Sequence, residues 1–140
     1  MNYVFTINYP IETVFNAVVG TFVSDYKKET GNILNVENSY HNIKYTKCIK
    51  TNNNKTIEAT VKLNNYEPYN LFEYEYLSYK YHYITRTQLK QIDDKTEVRI
   101  FHQSSRDINE PLIDDQNLRR PSLLFNMQFQ RMVKDYLKNR

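Results

Sequence analysis

Between Tyr40 and Ser105 the chain alternates apolar and polar residues in a succession of short runs, and this pattern constrains its fold most. The clearest run is 57–63, whose odd-numbered residues are apolar and whose even-numbered residues are Glu58, Thr60 and Lys62. Because successive side chains of a strand point to opposite faces, each run predicts a strand with one buried face. Five consecutive runs of this kind predict an antiparallel sheet.

Turn residues separate most of these runs. Asn52-Asn53-Asn54 and Asp93-Asp94-Lys95 predict hairpin turns, because Asn and Asp tolerate left-handed backbone. Glu67-Pro68 predicts a third turn. The strand predicted after this turn contains Phe72, Tyr74 and Tyr76. No Gly, Pro or Asn marks the turn from it to the following strand, whose alternating aromatic residues are Tyr79, Tyr81 and Tyr83.

Helical spacing flanks the alternating region on both sides. After a strand predicted over Asn2–Asn8, apolar residues recur every three or four positions from Ile11 to Tyr26, and Gly31 predicts the end of the helix. Gly20 disfavours a helix here by about 1 kcal/mol, so one short helix and a pair of helices are both open. The last element is a helix of about five turns whose apolar stripe is expected to cover the sheet. That stripe consists of Phe125, Phe129, Met132, Val133 and Tyr136.

The composition fits one globular domain over residues 1–140, since 40% of the residues are hydrophobic and 25% are charged. No apolar stretch reaches the ~18 residues of a membrane span, and the start of the chain lacks a signal-peptide pattern. We therefore expect a cytoplasmic protein without integral membrane association. Cys48 is the single cysteine, so no internal disulfide is expected.

Three segments carry a resemblance to a known superfamily. They are Pro10-Ile11-Glu12-Thr13-Val14-Phe15 directly after the opening strand, the hairpin Asp94-Lys95-Thr96-Glu97-Val98, and the Phe125/Phe129/Met132 helix. With these segments the chain resembles the START-like helix-grip superfamily, which contains the birch-pollen allergen, lipid-transfer domains and aromatase/cyclase proteins. In its length and its N-terminal segment the chain is also similar to a small uncharacterised family of low-GC Gram-positive bacteria. The competing topology is a cystatin-like or nuclear-transport-factor-like cone, which usually lacks a long C-terminal helix.

The resemblance implies an α+β fold in which a curved antiparallel sheet of six or seven strands wraps around the long C-terminal helix. Residues 33–36, from Ile33 to Val36, are the candidate for the seventh strand. The resemblance further implies a pocket between the sheet and that helix. Strand parity and the helical stripe give its predicted ligand-binding residues: Tyr45, Tyr74, Tyr76, Tyr81, Tyr83, His102, Phe125, Phe129, Met132 and Tyr136. The same parity turns Ile57, Ala59, Val61, Phe72, Val98 and Ile100 inward.

Two polar residues share parity with this apolar face. His102 could bind a ligand or act as a general base, although a core histidine bonded to a backbone carbonyl is the commoner arrangement. Lys47 could extend to the rim of the pocket or pair with a ligand carboxylate or phosphate. The inward tyrosines require a partner for each hydroxyl, from water or from a ligand, although strand propensity alone also favours tyrosine.

Other chemistries find little support in the sequence. His41, His82 and His102 lack ligand-like spacing, so no metal or other cofactor is expected. Gly20 and Gly31 are the only glycines, which excludes a phosphate-binding loop. Acidic residues alternate with the strand tyrosines, which argues against nucleic acid.

Three functions remain open: a binding protein for a small apolar or amphipathic ligand, a cyclase- or hydratase-type enzyme using His102 and a tyrosine, and a protein interaction module. We lean towards the first, without catalysis. At most a weak homodimer is expected as a protein partner.

Overall fold

The structure is a computed structural model that describes residues 2–40, 42–50, 52–78, 81–105, 113–114 and 122–139, without the side chains of 2, 113–114 and 122–125. The chain forms an α+β fold of seven strands and two helices within these residues. Their order is β1 (Asn2–Ile7), α1 (Ile11–Thr30), β2 (Ile43–Lys50), β3 (Thr56–Glu67), β4 (Leu71–Ser78), β5 (His82–Ile92), β6 (Lys95–Ser105), β7 (Ile113–Asp114) and α2 (Ser122–Lys138).

The strands form one antiparallel sheet in the order β1-β6-β5-β4-β3-β2, with the short β7 paired to β6. This confirms the predicted fold class. The two glycine-free hairpin turns form as predicted, because Asn54 and Asp93 adopt the left-handed backbone that those residue types tolerate. The 17-residue α2 is the long C-terminal helix that a cone-like fold usually lacks.

A β-bulge in β3 keeps two large side chains on the inner face of the sheet. The register to β4 shifts between Leu63 and Asn65, so Leu63 and Tyr66 both point inward although they are three residues apart. Both side chains are almost fully buried. A bulge also increases local twist, which helps the sheet curve around the helices.

The helix after β1 is one continuous helix of 20 residues. This confirms a single helix, longer than the short one expected, and the helix pair does not form. Residues on both sides of Gly20 are buried against the same sheet, with Val14 and Phe15 before it and Phe22 after it. Burial of each such side chain contributes about 1.5–3 kcal/mol, which exceeds the cost of about 1 kcal/mol for one helical glycine. The predicted stop is confirmed, since Gly31 at φ 76° closes the helix by donating its N–H to the Lys27 carbonyl.

Two strand predictions are wrong. Residues 33–36 form no strand, because this segment packs Leu34 into the core and its Val36 carbonyl accepts a hydrogen bond from the Tyr66 hydroxyl at 2.7 Å. The seventh strand is β7 instead. Tyr81 lies in the turn before β5 rather than in a strand, with its carbonyl accepting the Ser78 N–H at 2.8 Å.

The inner face of the sheet is covered by both helices, so α2 is not its only cover. α1 supplies the buried residues Val14, Phe15, Ala17, Val19 and Phe22. α2 packs against α1 and β1, where Val133 is fully buried and the Phe129 ring meets the Phe5 ring edge-on at 5.2 Å. Neither helix is both long and apolar enough to cross a bilayer within the described residues.

Candidate functional site

A cavity of about 500 Å³ lies between the sheet, α1 and α2. Its apolar lining comes from β1, α1, β4, β6 and α2: Tyr3, Val18, Phe72, Ile100, Phe129 and Met132. Its polar lining comes from β4, β5, β6 and α2: Tyr74, Tyr83, Thr85, Thr87, His102 and Gln128. A mostly apolar surface with a few polar groups is typical of small-molecule sites.

Thr85 and His102 place a polar pair in this cavity. The two residues face each other across the β5–β6 pairing, and Thr85 Oγ1 lies 2.9 Å from His102 Nδ1, within hydrogen-bond distance. This contact holds the imidazole ring in one orientation. The pair can therefore present a fixed hydrogen-bonding edge to a molecule in the cavity.

Tyr83 is the centre of an aromatic cluster on the same wall. Its ring stacks on Tyr76 at 4.8 Å, meets Tyr74 edge-on at 6.1 Å and lies 5.4 Å from the His102 ring. Burial, and then Tyr74 and Tyr76, raise the pKa of the Tyr83 phenol above its usual value. Tyr83 therefore stays neutral at physiological pH and acts as a hydrogen-bond donor or acceptor, not as an anionic base.

A second cavity, of about 180 Å³, adjoins the first and shares Val18, Phe72, Tyr74 and Tyr83 with it. It lies where the C-terminal half of α1 faces β2, and its charged residues come from those two elements. Lys47 Nζ donates to Asp25 Oδ2 at 3.2 Å, and the Tyr45 hydroxyl donates to the same oxygen at 3.5 Å. Its remaining lining residues are Thr21, Phe22, Val61 and Tyr76.

The environment of Tyr45 keeps its phenol protonated. Burial, and then the Asp25 carboxylate, raise the pKa of Tyr45 above its usual value. Its ring packs edge-on against Phe22 at 5.5 Å and against Tyr26 at 5.9 Å. Tyr45 is therefore a fixed neutral donor that supports the Asp25 carboxylate.

The structure brings most of the predicted ligand-binding residues to these two cavities. Tyr74, Tyr83, His102, Phe129 and Met132 line the larger one, and the smaller one adds Tyr45 and Tyr76. Tyr136 packs against the hydrophobic core and belongs to neither lining. Phe125 falls on a residue whose side chain is outside the described part of the chain.

Tyr81 does not belong to the site, and the prediction that it points inward is wrong. Its side chain is 57% exposed, and it precedes β5, which begins at His82, so the alternation of that strand does not extend to it. Ala59 is fully buried on β3, as strand parity predicts, but it lines neither cavity.

Sequence reasoning missed several lining residues. Asp25 is the most consequential, and nothing in its local pattern pairs it with Lys47, which lies 22 residues further along the chain. Thr85 and Thr87 carry a signal that could have found them, since they share the parity of Tyr83. Val18 was assigned to the helical stripe but not to a cavity wall.

The outer face of the sheet holds polar residues in pairs rather than as metal ligands. Glu73 is buried there and accepts hydrogen bonds from Arg86 Nε at 2.6 Å and Asn65 Nδ2 at 2.9 Å. Glu75 Oε2 lies 2.6 Å from His82 Nε2. Among the residues that the structure describes, no three His, Cys, Asp or Glu side chains cluster as a metal site would require.

Solved structures share this fold at low sequence identity. Ara h 8.0201 is similar with a TM-score of 0.62 and 10% identity, over 100% of this chain and 97% of that one. The di-domain ARO/CYC StfQ from the steffimycin biosynthetic pathway has a TM-score of 0.52 and 14% identity, over 96% of this chain and 43% of that one. MLL2253 from Mesorhizobium loti has a TM-score of 0.52 and 12% identity, over 99% and 98%. These similarities support the α+β helix-grip fold.

Sequence comparison places the chain in a family. No curated protein matches the sequence. Residues 1–112, which include β1, α1 and the strands up to β6, match a family described as "Domain of unknown function (DUF3284)". The match covers most of the chain, including every described wall of the two cavities except the part contributed by α2. The chain therefore belongs to the DUF3284 family.

Proposed function

We propose that this protein binds a small amphipathic or aromatic molecule in the larger cavity. The observation that carries the proposal is the cavity itself, whose volume of about 500 Å³ lies within the range of roughly 300–1,000 Å³ typical of small-molecule sites. Its mostly apolar lining with a few polar groups is the second property that such sites share.

The lining specifies the chemistry of the ligand. Its body would contact Phe72, Ile100 and Phe129, which provide apolar surface on opposite walls. Its polar group would meet the Thr85–His102 pair and the neutral phenol of Tyr83. This chemistry suits a molecule that is mainly apolar and carries one or two hydrogen-bonding groups.

The cytoplasmic location and the similarity to a family of low-GC Gram-positive bacteria stay predictions.

Cavity filling tests the proposal with the fluorescent apolar probe N-phenyl-1-naphthylamine. Val18 lines both cavities, whereas Val4 lies on β1 and is 45% exposed, so Val18→Phe and Val4→Phe are matched variants. We expect saturable binding to the wild type and to Val4→Phe, and binding weakened by about tenfold, or 1.4 kcal/mol, in Val18→Phe. Met132→Trp fills the larger cavity from α2 and is expected to act in the same direction.

Two outcomes would contradict the proposal. Probe fluorescence that rises without saturation would indicate nonspecific contact with the surface. Equal affinity of the wild type, Val18→Phe and Met132→Trp would place the bound probe outside the cavity. Far-ultraviolet circular dichroism of each variant establishes that the comparison is between folded proteins.

A cyclase- or hydratase-type enzyme is a second candidate, because His102 and Tyr83 are neighbours in the same cavity. One of the fold's solved representatives, StfQ, is itself an ARO/CYC protein from a biosynthetic pathway. Native mass spectrometry separates the two candidates when the wild type and His102→Gln are both produced in the natural host of this protein. A binding protein retains the same small molecule in both forms, whereas an enzyme retains a different molecule once His102 is replaced.

No described feature favours the interaction module. The exposed large apolar residues belong to five different parts of the described chain, not to one strand or helix face. They are Val4, Ile33, Tyr81, Ile92 and Met127. A docking surface generally requires a contiguous apolar patch of several hundred Å².

A further inference from the structure

We infer that the Asp25–Lys47 ion pair selects the polar end of the ligand, accepting a neutral hydroxyl group and rejecting an anionic one. The inference rests on the proposed binding function, because it assigns a role to the smaller cavity that adjoins the larger. It concerns a specificity site formed by α1 and β2, which is separate from the Thr85–His102 pair on β5 and β6.

The two cavities are adjacent. Val18, Phe72, Tyr74 and Tyr83 contribute to both linings, so no more than these shared side chains lies between the two spaces. The smaller cavity, at about 180 Å³, is too small for the body of a ligand that fills the larger one. It has the size for a terminal group.

The ion pair offers both a donor and an acceptor to such a terminal group. The Lys47 ammonium has three N–H donors and directs one of them to Asp25 Oδ2. The Asp25 carboxylate has about four acceptor positions, and it receives Lys47 and the Tyr45 hydroxyl on Oδ2. Both side chains remain about 30% exposed, at 28% for Lys47 and 32% for Asp25. A hydroxyl group can accept from Lys47 and donate to Asp25 at the same time.

The local charge disfavours a carboxylate or phosphate at this position. Asp25 already neutralises Lys47, and Glu29 follows one helical turn later on α1. Burial, and then Asp25 and Glu29, raise the pKa of Tyr45. The Asp25–Lys47 pair itself has no net charge, so it offers an anion no unpaired positive charge. An anionic end would lose its hydration without a counter-ion, whereas a neutral hydroxyl loses less and gains both hydrogen bonds.

Displacement of N-phenyl-1-naphthylamine by three probes of one shape tests the inference. The probes are naphthalene, 2-naphthol and 2-naphthoate, measured at pH 7, where the second is neutral and the third is anionic. We expect 2-naphthol to displace best and 2-naphthoate worst in the wild type. A hydrogen bond to a charged group contributes roughly 1.5–3 kcal/mol, so 2-naphthol should exceed naphthalene by about tenfold or more.

Three variants connect this preference to the ion pair. Asp25→Leu/Lys47→Met, which removes both the acceptor and the donor, is expected to remove the advantage of 2-naphthol over naphthalene. Asp25→Asn leaves Lys47 without its carboxylate partner, so 2-naphthoate should gain about tenfold or more in affinity. Lys44→Met removes an exposed lysine from the same strand outside both linings, and the wild-type order should remain.

The outcomes separate this inference from the proposed function. Failure of N-phenyl-1-naphthylamine to bind saturably refutes both. Cavity-dependent binding of that probe, with 2-naphthoate displacing it as well as 2-naphthol in the wild type, refutes the inference alone. Should Asp25→Asn be unfolded by circular dichroism, Asp25→Leu/Lys47→Met decides, because an unchanged preference for 2-naphthol in that variant overturns the role of the ion pair.

Discussion

Gly20 and Gly31 form a matched pair whose replacement by alanine should change stability in opposite directions. A Cβ added at either position meets no heavy atom within 4 Å, so neither substitution creates a clash. Gly20 lies within α1, where alanine is favoured over glycine by about 0.5–1 kcal/mol. Gly31 has φ 76°, a left-handed conformation that disfavours an L side chain by roughly 1–2 kcal/mol. We expect Gly20→Ala to stabilise the protein and Gly31→Ala to destabilise it.

Thermal unfolding followed by circular dichroism at 222 nm measures both effects. With an unfolding entropy of about 2.1 cal/mol/K per residue, 0.5–1 kcal/mol corresponds to about 2–3 °C in Tm for this chain. Gly31→Asn serves as a control, because asparagine tolerates the left-handed region and should cost less than alanine. A fall in Tm for Gly20→Ala, or no fall for Gly31→Ala, would show that backbone conformation does not govern these two sites.

Two further predictions concern the core and the buried phenols. Val133→Ala on α2 should lower the free energy of unfolding by about 2 kcal/mol in urea titrations, whereas Met127→Ala, 60% exposed on the same helix, should change it by less than about 0.5 kcal/mol. Equal effects would contradict the observed face of α2. Burial raises the pKa of Tyr45, Tyr66 and Tyr83 above its usual value of 10. The contribution of these phenols to the free energy of unfolding is therefore complete below pH 10. It is lost at higher pH, because there the tyrosines of the unfolded chain ionise before those of the folded protein. Stability should fall by up to about 1.4 kcal/mol per pH unit for each tyrosine, and a slope unchanged in Tyr66→Phe would refute this.

Features of the fold that depend on nearby residues could be predicted from the sequence. The alternation in β3 and the turns at Asn54 and Asp93 depend on residues within a few positions of each other. The turn after Glu67 was also predicted, but not that Tyr69 adopts φ 63° within it. Tyrosine does not favour that conformation, and its ring contact with Phe15 at 5.5 Å, from another element, supports it.

Features that depend on distant residues could not be predicted in the same way. The continuity of α1 through Gly20 is decided by burial against a sheet formed later in the chain. The bulge in β3 is decided by the fit of Leu63 and Tyr66 under the helices. Strand parity is local, and it brings Tyr74, Tyr83 and His102 to the cavity wall. The Asp25–Lys47 contact, in contrast, joins a helix to a strand across the fold.

The inner face of the sheet is divided into a packed end and a hollow end. At the packed end, Ile7, Leu89 and Val98 are buried on the sheet, and the first half of α1 adds the buried Phe15. At the hollow end, β4, β5 and β6 carry tyrosine, threonine and histidine where aliphatic residues would fill the space.

This division separates stability from binding along the same strands. Aliphatic side chains in a packed core contribute several kcal/mol each, whereas groups that line a cavity lose part of their contacts. The packed end can therefore stabilise the fold without requiring close packing around Tyr83 and His102. Conservative changes at the hollow end, such as Thr85→Val, should then alter probe affinity more than the free energy of unfolding. Changes at the packed end, such as Val98→Ala, should do the reverse.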